Sequence, residues 1–278
     1  MKLFLRIFVL FILLNISFIG ISFFLPGRIA VVDSYSLFIE KGVIELMEKM
    51  GSGSAHQQGR EDSFTANAIS FEKLCPYLED IKPGTLFFSD HGRAVSERFI
   101  QGAWKHCGIY LGSLAQVQQY WGKDNELVLF LQKYYTSKDD YLIFDSSYTY
   151  GVAIHSIKEL ADLSHMSTLR SLLLFECRLD KEEWSQHLLS GKEHLGKDYD
   201  YFFVLDNEDA LYCSEFLYYM LPVEKGRVVP SRKILGRKFL LPSDLVRSME
   251  EQEESEGVFI YKGKISKSEG RITHSLEQ

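Results

Sequence analysis

The sequence holds only four cysteines, and it has no C-x-x-C pair, no H-E-x-x-H and no Cys/His cluster at zinc spacing. That excludes the common structural and catalytic zinc sites, and no metal or other cofactor is expected. It also lacks a G-x-S-x-G elbow and a Gly-rich phosphate loop, so serine-hydrolase and phosphate-cradle readings have nothing to rest on. Positive charge is short too. Lys and Arg number 31 against 38 Asp and Glu, a formal charge of -7, and no stretch interleaves basic residues with aromatics. Neutralising phosphates needs a basic face, so nucleic acid is not an expected partner. There is no internal repeat.

Charge is also missing from residues 7–26. "MKLFLRIFVLFILLNISFIGISFFLP" places Lys2 and Arg6 ahead of an uncharged, mostly apolar run close to the ~20 residues that a hydrocarbon core requires. Bulky residues in "SFFLPGRIAVV" stand where a cleavage site needs small ones. The expectation is an uncleaved signal anchor over 1–27, a transmembrane helix. The leading positive charges would keep the amino end in the cytoplasm and put the main domain on the extracytoplasmic side. Residues 28–70 read as a juxtamembrane region: an amphipathic helix over 34–50, then the polar "GSGSAHQQGRED" linker.

With 46% hydrophobic residues, the remainder can bury a good core. "GTLFF", "HCGIYLG", "DYLIFDSS" and "LRSLLLFECRL" are continuously apolar or β-rich runs between polar segments, as in a mostly antiparallel sheet. "KEEWSQHLLSGKEHLG" and "CSEFLYYML" read as helices, and residues 113–140 as an inserted helical excursion over the sheet. The expected class is α+β, with a main domain over 71–248. Residues 249–278 mix both charges with few core residues and read as a mobile tail.

Among the residue types present, a thiol is the candidate for chemistry. Cys213 stands between the acidic "DNEDA" loop and an apolar helix; a helix N-terminus stabilises a thiolate through the macrodipole and unpaired N–H groups. On that feature alone, a small buried hydrophobe is the commoner role. His106 is the candidate base if its strand packs across the helix start. Successive side chains on a strand point to opposite faces, so adjacent His106 and Cys107 cannot be the working couple. His106 would face the helix and Cys107 the core. Asp145, after "YLIF", can hold the imidazole from the next strand or serve as a strand-end cap.

The order "IKPGTLFFSD", "WKHCGIYLG", "YLIFDSSYTYGVAIHSIKEL", "LRSLLLFECRL", "GKDYDYFFVLDNEDALYCSEFLYYML", "FLLPSDLV" resembles the circularly permuted, NlpC-type branch of papain-like cysteine hydrolases, the YiiX/YebB-like family, over roughly residues 78–248. The resemblance implies a permuted papain-like fold in which the His-bearing strand precedes the Cys-bearing helix. On the matching motifs it assigns the nucleophile to Cys213, the base to His106 and the third role to Asp145, where the family usually carries Glu. Tyr110 and Tyr212 are the candidate substrate-binding residues. It further implies hydrolysis or transfer at an acyl carbon through a thioester, on a cell-envelope peptide or an acyl lipid. The rival class is a non-catalytic envelope module that keeps the fold and binds a ligand or partner.

Overall fold

A computed structural model describes residues 2–24, 35, 42, 68–91, 102–161, 169–201, 203, 205, 209–222, 232–234, 237–253, 258–268 and 271–276. The juxtamembrane helix expected over 34–50 and the linker after it lie outside these residues, Tyr35 and Gly42 apart. Helix α1 (Lys2–Phe24) covers most of the expected anchor, with side chains described over only part of it. Among the described residues no helix is long and apolar enough to cross a membrane.

The main domain opens with α2 (Phe71–Leu78), β1 (Thr85–His91) and β2 (His106–Ser113). Ser113 then starts α3 (Leu114–Trp121): its hydroxyl accepts from the Gln116 N–H while Gln116 Oε1 accepts from the Ser113 N–H. That reciprocal cap satisfies two donors the helix leaves unpaired. Asn125 caps α4 (Glu126–Leu131). Next come β3 (Tyr141–Ser147), β4 (Gly151–Ser156), β5 (Leu169–Cys177), α5 (Lys181–Ser190) and α6 (Cys213–Met220). The small β6 (Arg232–Ile234) and β7 (Arg237–Phe239) hairpin, α7 (Pro242–Glu253), β8 (Phe259–Ser268) and β9 (Arg271–Leu276) complete the order.

Seven strands form one antiparallel sheet in the order β4-β3-β2-β1-β5-β8-β9. Its two faces are both buried, which is why the central strands read as unbroken apolar runs rather than as alternating ones. Leu86, Phe88, Cys107, Ile109, Phe144 and Phe175 point into one core with residues of α3 to α7, among them Trp184, Phe216 and Leu245. Phe87, Tyr110, Ile143, Leu172 and Leu174 point into the other, under Leu74 and Leu78 of α2. The 113–140 excursion therefore covers the first face through Val117, Leu127, Val128 and Leu131.

The expected mobile tail is largely ordered. α7 runs to Glu253, past the boundary expected at 248, and β8 and β9 extend the sheet beyond β5. Lysines 262, 264 and 267 gave this segment the look of a solvated tail, yet Phe259 and Ile265 are both buried, in opposite cores. Six residues apart, they would share one face of a regular strand. A register shift opposite Leu174 and Phe175 moves one of them across, the usual consequence of a bulge.

Candidate active site

Pairing between β2 and β3 begins at Gly108 opposite Asp145, so His106 and Cys107, which pair with Ser89 and Phe88 of β1, have no partner on the β3 side. The segment leading into α6 fills that gap. The Ser146 hydroxyl donates to the Leu211 carbonyl at 2.5 Å, and the Leu211 N–H donates to the Asp198 carbonyl. Just beyond, the Ser214 hydroxyl donates to the Leu240 carbonyl at 2.6 Å, and the Tyr212 hydroxyl accepts from the Leu240 N–H. Phe216 packs on Phe144 with ring centroids 4.7 Å apart. The start of α6 is thus fixed to rigid elements, as a reacting group requires.

Cys213 is the first residue of α6, and its N-cap, Tyr212, makes no side-chain cap. The first-turn N–H groups therefore have no capping side chain and face the thiol end of the helix. His106 comes within hydrogen-bonding contact of Cys213 and Asp145. Its Nε2 lies 2.8 Å from Asp145 Oδ2, so Nδ1 is the ring nitrogen left for the thiol. The second Asp145 oxygen, Oδ1, is 2.9 Å from His155 Nε2. His155 Nδ1 in turn is 3.1 Å from Glu159 Oε2, within ion-pair range but off the direction of a hydrogen bond. On the other side of His106, buried His91 pairs with the Ser89 hydroxyl at 2.8 Å.

The charge pattern follows from these contacts. Burial opposes a cation at His106, but the Asp145 carboxylate and the Cys213 sulfur outweigh it and raise its pKa to about 10. The Cys213 thiol is held well below its ordinary range, first by the Cys107 thiol beside it, against burial, and then by His106. Asp145 is lowered despite full burial, because His155 and His106 both face it. Burial, reinforced by the charge on His106, pushes His91 down to about 3, so this histidine stays neutral. The result is a thiolate–imidazolium couple backed by a buried carboxylate, an arrangement suited to nucleophilic attack at neutral pH.

His106, Asp145 and Cys213 are brought together, but the path between them differs from expectation. α6 packs on the face of Cys107, not on that of His106: Cys107 shares its core with Cys213, Phe216 and Leu217, while the neighbours of His106 on its own face, Phe87 and Tyr110, belong to the other. His106 reaches the sulfur only because it is the first residue of β2. Cys107 is not remote from the site either; it is close enough to Cys213 to help lower the pKa of that thiol, and burial raises its own pKa well above the ordinary value. Tyr110 and Tyr212 are corrected as substrate contacts. Each is 1% exposed. The Tyr110 hydroxyl donates to the Leu78 carbonyl, and that of Tyr212 holds residue 240.

Sequence reasoning missed His155 and Glu159, whose only signal was a polar residue recurring in the strand-like "GVAIHS". It also missed Tyr199, half-buried and close enough to Cys213 that desolvation, and then the charge of that sulfur, raise its pKa. Tyr199 packs on Tyr201 and Phe203, and Phe203 on Tyr212.

Asp145 is set tightly against Gly108. A Cβ there would lie 2.7 Å from Asp145 Cβ and 2.9 Å from both the Phe144 carbonyl and the Phe87 ring. Without one, the Asp145 side chain passes over β2 to His106. Gly108→Ala is expected to displace Asp145, lowering kcat/KM by more than ~10-fold and destabilising the domain by about 1–3 kcal/mol. Steady-state kinetics and a melting curve on the variant check both effects.

Residues 80–261 match the permuted papain-like amidase enzymes of the YaeF/YiiX, C92 family. The chain belongs to this family. It is accordingly a cysteine hydrolase of the amidase type with a permuted papain-like α+β fold, and the family name that the match supports is YaeF/YiiX rather than NlpC. Among solved structures, it is similar to the crystal structure of metalloprotein yiiX from Escherichia coli O157:H7. The two are 14% identical over 71% of this chain and 97% of that one, with a TM-score of 0.36. No curated protein matches the sequence.

Proposed function

We propose that this amidase is a membrane-anchored enzyme of the cell envelope that cleaves an amide or ester bond of an envelope peptide or acyl lipid through a thioester on Cys213. The observation that carries the reading is the contact of His106 with both Asp145 and Cys213 at a helix start without a capping side chain. The Cys213 thiolate attacks the substrate carbonyl carbon, and the oxyanion that forms faces the first N–H groups of α6. His106 gives its proton to the leaving nitrogen or oxygen as the C–N or C–O bond breaks. It then takes a proton from water, whose oxygen attacks the thioester and releases the acid and the thiol. An alcohol or amine in place of water would make the same intermediate an acyl donor. Asp145 holds the imidazole and its charge in place throughout.

Anchoring is supported by the uncharged run at 7–26 behind Lys2 and Arg6 and by the helical course of Lys2–Phe24. Leu10, Leu13 and Ile16 on it are exposed. Tyr148 and Tyr150 are exposed at the β3–β4 turn, beyond Asp145, and offer a substrate with an apolar part something to lie against. The test compares full-length protein and a chain lacking residues 1–27 on peptidoglycan fragments, N-acyl amides and phospholipids. Membrane fractionation of the first only, with Cys213-dependent product from one substrate class, is the expected outcome. A full-length protein free in the cytosol, or no Cys213-dependent product from any class, contradicts the proposal.

A further inference from the structure

Asp145 is fully buried, and only one of its oxygens serves His106. A carboxylate held by one hydrogen bond can rotate about its terminal torsion, which is broad and soft, and its second oxygen, buried without a partner, costs about 1–3 kcal/mol. His155 removes both problems. It lies on β4, two residues past Ala153, which faces Asp145 across the β3–β4 ladder, so its side chain emerges on the same face as Asp145. Its Nε2 meets Oδ1 at 2.9 Å, and the Glu159 carboxylate lies 3.1 Å from its other nitrogen. The Tyr150 ring, 5.1 Å away, covers it from the turn.

We propose that His155 is a positioning residue of this enzyme: its bond to Oδ1 fixes the plane of the Asp145 carboxylate so that Oδ2 stays aimed at His106 Nε2, with Glu159 holding His155 from outside. It rests on the reading of Cys213 and His106 as the working pair. The groups that set its titration, against burial, are Asp145 from β3 and Glu159 from the turn after β4, with the Tyr150 ring packed beside it; those around His106 are Asp145, Cys213 and His91. Between its two carboxylates His155 is a cation, its pKa raised to about 10 although burial opposes it.

The test reads the Cys213 thiolate without any substrate, by the rate of iodoacetamide modification between pH 5 and 10 on the full chain. In His155→Ala, Asp145 is released, His106 loses its hold on the proton, and the thiol titrates higher. The rate at pH 6 should fall about 10-fold or more, because only about a tenth of the thiol is then ionised at that pH, while the rate at pH 10 is unchanged. His155→Gln places an amide N–H near the position of Nε2 and should restore the pH 6 rate to within about threefold of the parent's. His155→Asn is too short to reach Asp145 and should behave as Ala does, which serves if the Ala variant does not fold. A His155→Ala or His155→Asn profile that superimposes on the parent overturns the proposal, as does equal loss in the Gln variant. If the parent itself shows an ordinary thiol, the working-pair reading fails instead.

Discussion

Cys213→Ala is expected to reduce turnover by about six orders of magnitude, to background, as loss of a nucleophile does when the remaining groups act only through it. The fold should survive. The change removes one sulfur from a core whose position is set by Phe144–Phe216 stacking and by the Ser146, Ser214 and Tyr212 hydrogen bonds, a packing loss of about 1 kcal/mol. Against it, the variant no longer buries a thiolate. Unchanged circular dichroism and a melting temperature within a few degrees of the parent, ~1 kcal/mol in a domain of this size, would separate lost chemistry from lost structure. Cys107→Ala should behave differently, keeping turnover but lowering it, because it takes away a group that helps lower the pKa of Cys213 without touching the nucleophile.

Asp145→Asn should be nearly as damaging to catalysis and far more so to stability. Asn can still accept from one imidazole N–H, but it cannot neutralise an imidazolium, and turnover should fall by about three to four orders of magnitude. Two half-buried histidines lose their shared, fully buried counter-charge at once, and breaking a buried ion pair from one side costs up to about 3–5 kcal/mol. The pH dependence carries the signature. His106 and His155 have pKa values raised to about 10, so the stability they contribute is fully present below their ordinary value of about 6.5 and is lost as pH rises toward 10. Asp145 is lowered, so its contribution is present above the ordinary carboxylate value and is lost as pH falls below it. The stability gap between parent and variant should therefore be widest between the ordinary carboxylate value of about 3.9 and the ordinary histidine value of about 6.5, and narrow from there toward pH 10. Chemical denaturation at pH 7 and pH 10 measures it, and a gap that is the same at both contradicts the charge assignment.

What the sequence made legible was whatever depends on local pattern. The apolar runs became β1, β2, β3 and β5, and the order of the His-bearing strand and the Cys-bearing helix pointed to the family. Alternation along β2 correctly sent His106 and Cys107 to opposite faces. Which face α6 covers was not legible, because it depends on contacts such as those of Leu211 with Ser146 and Asp198, which bring Cys213 to the start of β2, a tertiary choice. His155 escaped notice because it sits ten residues from Asp145 on an edge strand, where a polar residue carries no signal until the β3–β4 register is known. β8 was hidden by lysines 262, 264 and 267, which interrupt its apolar pattern although the strand is paired on both sides, by β5 and β9.

The central claim, that Cys213 is a preformed thiolate held by His106, is tested most directly by alkylating the native chain with iodoacetamide at several pH values and mapping the adducts by mass spectrometry. Cys213 should be modified before Cys75, Cys107 and Cys177, at a rate that is flat from about pH 6 to pH 8, since the thiol is already ionised there. Modification of Cys107 before Cys213, or a Cys213 rate that climbs about 10-fold per pH unit toward an ordinary thiol value near 8.5, would contradict the account.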